Sequence, residues 1–140
     1  MIIKPRSKVE HGVFLVIVGL LAWAVPGAGH FLIGERKRAA IICVTIVATF
    51  ALGLYVGSIG VVDPINARLW YLAQILASPL VGAIAQTTRS GDYVSYGRPF
   101  DVGQIYTSIA GLLNLLCILS AVYMAYQGRG EMIGEEEHDA

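Results

Sequence analysis

Charged residues fall into a few short runs, and between them lie four long apolar stretches. The first runs from Gly12 to Ile33 and is interrupted at Pro26-Gly27-Ala28-Gly29-His30. The second, from Ala39 to Val62, carries no charge, and the third and fourth cover Leu69 to Gln86 and Ile105 to Tyr126. Each of the last three reaches the ~18 apolar residues that mark a candidate membrane-spanning helix, enough for a hydrocarbon layer of ~30 Å. Backbone polar groups must be paired inside lipid, and no alternating strand pattern is present, so the expected spans are helical. The pattern predicts an all-α integral membrane protein, a small bundle of three spanning helices plus a broken first segment. Residues 1–128 form one membrane-embedded domain on this reading, and 129–140 an acidic, disordered tail.

Pro26 removes a backbone donor and pushes Val25 out of helical dihedrals, while Gly27 and Gly29 allow positive φ or close approach. The ~13 residues from Val13 to Val25 make ~20 Å of helix, too short to cross alone. Either a kinked helix continues across, or the chain turns back to the side it came from. Crossing splits the basic residues evenly between the two sides. Turning back puts Lys4, Arg6, Lys8, Arg36, Lys37, Arg38, Arg89 and Arg98 on one side and leaves Arg68 and Arg129 on the other. The bias of Lys and Arg toward the cytoplasm favours the re-entrant form, with a cytoplasmic N-terminus and the acidic tail across the membrane. Ala22-Trp23-Ala24 also fits a signal-peptide cleavage pattern. Cleavage there would strip the turn of the helix it folds back on, so the retained helix is the better expectation.

Composition narrows function more than it defines it. The chain is 56% hydrophobic and 14% charged, with mean hydropathy +0.65, where soluble domains carry about 25% charged residues. Little polar sequence is left for a separate catalytic domain. Net charge is zero, and no basic face is large enough to follow a nucleic-acid backbone. Lys4 to Lys8 and Arg36-Lys37-Arg38 instead suit orientation and attraction to anionic headgroups. Trp70, Tyr71, Tyr106, Tyr123 and Tyr126 cluster at segment ends, where amphipathic rings meet headgroups.

Few residues carry chemistry. His30 could respond to protons at membrane depth, but a ring that caps backbone freed by Pro26 is the simpler reading. His11 and His138 have no metal-ligand spacing, and Cys43 and Cys117 read as packing residues. No cofactor or metal is expected. Asn114 and Gln74 are the deepest polar residues and suit bonding between helices. No charged residue lies mid-segment, which argues against a proton-coupled transporter. Gly53-x-x-x-Gly57, Ser78/Gly82 and Ala121/Ala125 allow close helix contact, within the chain or between copies. Pro79 should kink the third helix. The polar stretch Thr87 to Gln104, with Arg89, Tyr93, Tyr96, Arg98 and Asp101, reads as a docking loop or an interfacial loop. Asp101 is placed to cap a helix beginning near Gly103.

Trp23-Ala-Val-Pro26-Gly27-Ala-Gly29-His30-Phe31-Leu-Ile-Gly34, followed by basic residues and a long apolar run, resembles the two-transmembrane-helix domain family. It lacks that family's Arg after the His and Tyr after the Phe. The Trp-x-x-Pro-Gly-x-Gly-His form is closer to a group of small bacterial membrane proteins with a domain of unknown function. That group also carries a stretch like Tyr106-Thr107-x-x-Ala110-Gly111-Leu112-Leu113-Asn114-Leu115. The resemblance implies a multi-pass protein of the bacterial cytoplasmic membrane and brings no catalytic residues. The expected role is therefore a non-catalytic structural or accessory subunit or scaffold whose partners are lipid and other membrane subunits or itself. The alternative is a minimal oligomeric channel or transporter, and an enzyme built on His30 and the Thr87 to Gln104 loop ranks third.

Overall fold

The computed structural model describes residues 7–91 and 97–128. Among these are six α-helices, one 3-10 turn at Ile59–Val61, and no strand. The helices are α1 (Lys8–Ala24), α2 (Ala28–Leu32), α3 (Arg36–Gly57), α4 (Arg68–Ile75), α5 (Leu80–Ser90) and α6 (Arg98–Tyr126). The all-helical expectation holds, but three spanning helices do not. Among the described residues, only α3 and α6 are long and apolar enough to cross a membrane. The third apolar segment is not one kinked helix, because α4 ends at Ile75 and the chain reverses before α5 begins at Leu80. Pro79 cannot donate to a preceding turn, and what remains on either side is 8 and 11 residues of helix.

The two long helices run antiparallel. Arg38 at the start of α3 donates to Met124 Sδ near the end of α6, at 3.4 Å. At the other end, a Cβ on Gly57 would stand 3.0 Å from the Cα of Gly103. The Gly53-x-x-x-Gly57 stripe is thus spent inside the chain, with Gly53 against Thr107 and Gly57 against Gly103. This close approach needs residues without a side chain.

Helix α1 starts with a capping box, Ser7 Oγ accepting from the Glu10 amide and Glu10 Oε2 from the Ser7 amide. It runs antiparallel to α6: the His11 and Tyr126 rings lie 6.2 Å apart, and Ala22 O accepts from Asn114 Nδ2. It therefore reaches only about the middle of α6. Helix α2 then comes back, with Gly29 against Val18 and Ala22 of α1 and Ala121 of α6. Ile33 completes a core with Val18, Ala121, Met124 and Ala125. Helices α4 and α5 form a second such hairpin, entering from the opposite end. Helix α4 runs alongside α6, with Trp70 O beside Ser108 and Ala77 O beside Asn114. Helix α5 returns until Thr88 Oγ1 donates to Ile59 O. A core of Val62, Ala77, Val81 and Ala85 fills this hairpin. Hairpin plus long helix is one plan used twice, in opposite directions.

Two further boundaries shift. Helix α6 begins at Arg98, capped at Gly97, so Asp101 lies in its first turn rather than at its cap. Arg89 belongs to the last turn of α5, and Arg98 is the first residue of α6. Tyr93, Tyr96 and the acidic tail lie outside the described residues.

Candidate functional site

The hairpin tips define the site. Pro26 fixes the first: Val25 is extended at φ −133°, ψ 119°, as expected before proline. Gly27 follows at φ +87°, and a Cβ there would collide with the carbonyl oxygen of Ala39, so glycine serves both the turn and the contact with α3. Gly34, at φ +92°, turns the chain again before α3. A helix that stops inside a protein leaves its last carbonyls unpaired. Here α1 presents those of Ala22 and Ala24, and α4 with the turn after it those of Ile75, Leu76 and Ala77. Both sets point to the same place.

Three side chains meet them. Asn114 Nδ2, on a fully buried residue of α6, donates to Leu76 O at 2.9 Å, Ala77 O at 3.0 Å and Ala22 O at 3.3 Å. Trp23 Nε1 of the first hairpin donates to Ile75 O of the second at 2.9 Å. Ser78 Oγ of the second donates to Ala24 O of the first at 2.9 Å. One α6 residue and two reciprocal cross-hairpin bonds thus hold together two helix ends of like partial charge. One turn or two away, Gln74 Nε2 donates to Thr107 Oγ1 at 2.9 Å and Val61 O at 3.2 Å. Gly111 sits so close to Ala73 that a Cβ would overlap its carbonyl oxygen.

His30 does not take up the carbonyls freed at Pro26. It is 1% exposed, and both ring nitrogens lack a hydrogen-bond partner among the described residues, as do Gln74 Oε1, Gln104 Nε2 and Asn114 Oδ1. Phe31 is exposed and lies under the Arg36 guanidinium, 5.7 Å from carbon to ring centroid. Of the turn motif, then, Trp23, Pro26, Gly27 and Gly29 build the tip and its packing, while His30 and Phe31 face elsewhere. The convergence of Trp23, Ser78 and Asn114 is not apparent from spacing. Its signal was two prolines, each ending an apolar helix early, and one deep Asn able to serve both.

Beside the tips a groove of about 310 Å³ runs between α3, α5 and the turns at Val25-Pro26 and Ala77-Ser78. Its one hydroxyl, that of Ser78, is already committed to Ala24 O. Among the described residues no group of three His, Cys, Asp or Glu is placed to hold a metal ion.

Residues 17–131 match the model of DUF6677, a family of unknown function. No curated protein matches the chain, and no solved structure does.

Proposed function

We propose a role from geometry for a chain that belongs to DUF6677, a family of unknown function that brings no activity with it: a non-catalytic protein of the bacterial cytoplasmic membrane, a structural or accessory subunit or scaffold of a larger membrane assembly. What supports this reading is the use made of the buried polar side chains. Asn114, Gln74, Ser78 and Ser108 direct their donors at neighbouring elements, with Thr107 Oγ1 accepting from Gln74, and the groove beside them is apolar. These groups lock helices together rather than line an aqueous path. Large apolar side chains meanwhile face outward along α1, α3 and α6, as expected of a surface solvated by lipid.

On this reading α3 and α6 cross the bilayer and the two hairpins enter it from opposite sides without crossing. Lys8 and Arg36-Lys37-Arg38 then share a side with the end of α6, against Arg68, Arg89 and Arg98 on the other. Lys4 and Arg6, which precede α1 in the chain, and Arg129, which follows α6, add to the first side, so the basic bias makes that side cytoplasmic. Purification from native membranes in mild detergent, followed by mass spectrometry and solution mass, tests the role. A stoichiometric partner that survives salt washing is the expected result.

A second reading has one observation in its favour. Two discontinuous hairpins of opposite direction meeting at mid-depth is a geometry that transporters use to build sites. A defined homo-oligomer without a partner, conducting a solute in liposomes, would establish that reading and displace the first.

A further inference from the structure

The groove lies on one face of α3, and that face begins with a cation. At ~100° per residue, Arg36, Cys43, Val47, Phe50 and Leu54 fall within a narrow stripe, Leu54 being in line with Arg36 after five turns of ~3.6 residues. Val47, Phe50 and Leu54 line the groove. From Arg36 to Val47 is ~16 Å along the helix, close to half of a ~30 Å hydrocarbon core. A molecule with its head at Arg36 and a tail one leaflet long would therefore end in the groove. The head position is built for an anion. Arg36 is held over the exposed Phe31 ring, and Lys37 is its neighbour in the chain. The tail position has an open side, since Val25, Val47 and Leu80 of its lining are exposed. It offers no uncommitted hydroxyl, and apolar cavities of this kind stay dry and take apolar guests.

We propose that this stripe is a binding site for one anionic phospholipid, its phosphate on Arg36 and one acyl chain seated between α3 and the hairpin tips. The site rests on the membrane-embedded reading above, which resistance to alkaline carbonate extraction tests separately. The full chain, delipidated in mild detergent, is titrated with phosphatidylglycerol or phosphatidylcholine and bound lipid is counted by native mass spectrometry. One phosphatidylglycerol per chain is expected, preferred about fivefold, the equivalent of about one surface cation–headgroup contact. Arg36→Gln should erase the preference while leaving the fold intact, because the side chain is exposed. Ala51→Trp, an exposed groove position, should weaken both lipids with the preference kept. Equal binding of the two lipids by the unaltered chain overturns the headgroup site, and unchanged binding in Ala51→Trp overturns the chain site.

Discussion

Asn114 has two N–H groups and three carbonyl partners from two hairpins, which makes it the most consequential side chain of the interior. Asn114→Leu leaves those carbonyls buried without a donor, and each orphaned group costs ~1–3 kcal/mol. Ser78→Ala orphans Ala24 O alone. Thermal unfolding in detergent should place Asn114→Leu well below Ser78→Ala, with losses of at least ~2 and about 1 kcal/mol respectively. Equal losses would mean the tips are held by packing instead. Glycines offer a sharper contrast. Gly111→Ala drives a methyl into Ala73 O, whereas Gly82→Ala meets nothing nearer than the Tyr71 hydroxyl at 3.9 Å. The first should cost upward of ~2 kcal/mol, since backbone must move, and the second should cost little. Asn114 as a residue that bonds helices was legible from its depth in an apolar run. Its partners were not, because they are backbone carbonyls exposed only by where α1 and α4 stop.

At the scale of elements, Pro26 and Pro79 had different consequences than spacing suggested. Both sit inside apolar segments, yet the first was readable as a turn because Gly27 and Gly29 follow it. Pro79 has only Ser78 before it and Leu80 after it, and the reversal there depends on Asn114 and Trp23 donating to the freed carbonyls. A local pattern cannot show a break whose compensation comes from residues 35 or more positions away. Between the hairpins, Asp63 organises the link from the 3-10 turn to α4, accepting from the Ile65 and Asn66 amides and from Asn66 Nδ2 at 2.8–3.1 Å. Burial pushes its carboxyl up, but the Asn66 and Ile65 hydrogen bonds outweigh this and hold it below the ordinary value of 3.8. A depressed folded pKa stabilises the loop above the unfolded value, and the benefit fades as pH falls through the folded one. Hydrogen exchange, corrected for its intrinsic pH dependence, should therefore show the Ile65 and Asn66 amides losing protection below about pH 4. In Asp63→Asn that pH step should disappear.

For the whole molecule, the membrane-embedded reading makes topology depend on how many times the chain crosses. The turn at Pro26 implies a hairpin, and with three further spans the two ends would lie on opposite sides. Because the third segment also folds back, two helices are left long and apolar enough to cross, and Tyr126 comes to rest beside His11. The four apolar runs disclosed an all-helical chain, but hydropathy measures how apolar a segment is and not whether it reverses. Cysteine labelling separates the two topologies. With Cys43 and Cys117 replaced by Ala, Glu10→Cys and Gln127→Cys should both react with an impermeant thiol reagent from one face of sealed vesicles, and Asn66→Cys only from the other. All three are outside the two long helices, so accessibility reports sidedness rather than burial in lipid. Reaction of positions 10 and 127 from opposite faces would require a third crossing. The α4–α5 hairpin, with Thr88 returned to Ile59, could not then be the arrangement in the membrane.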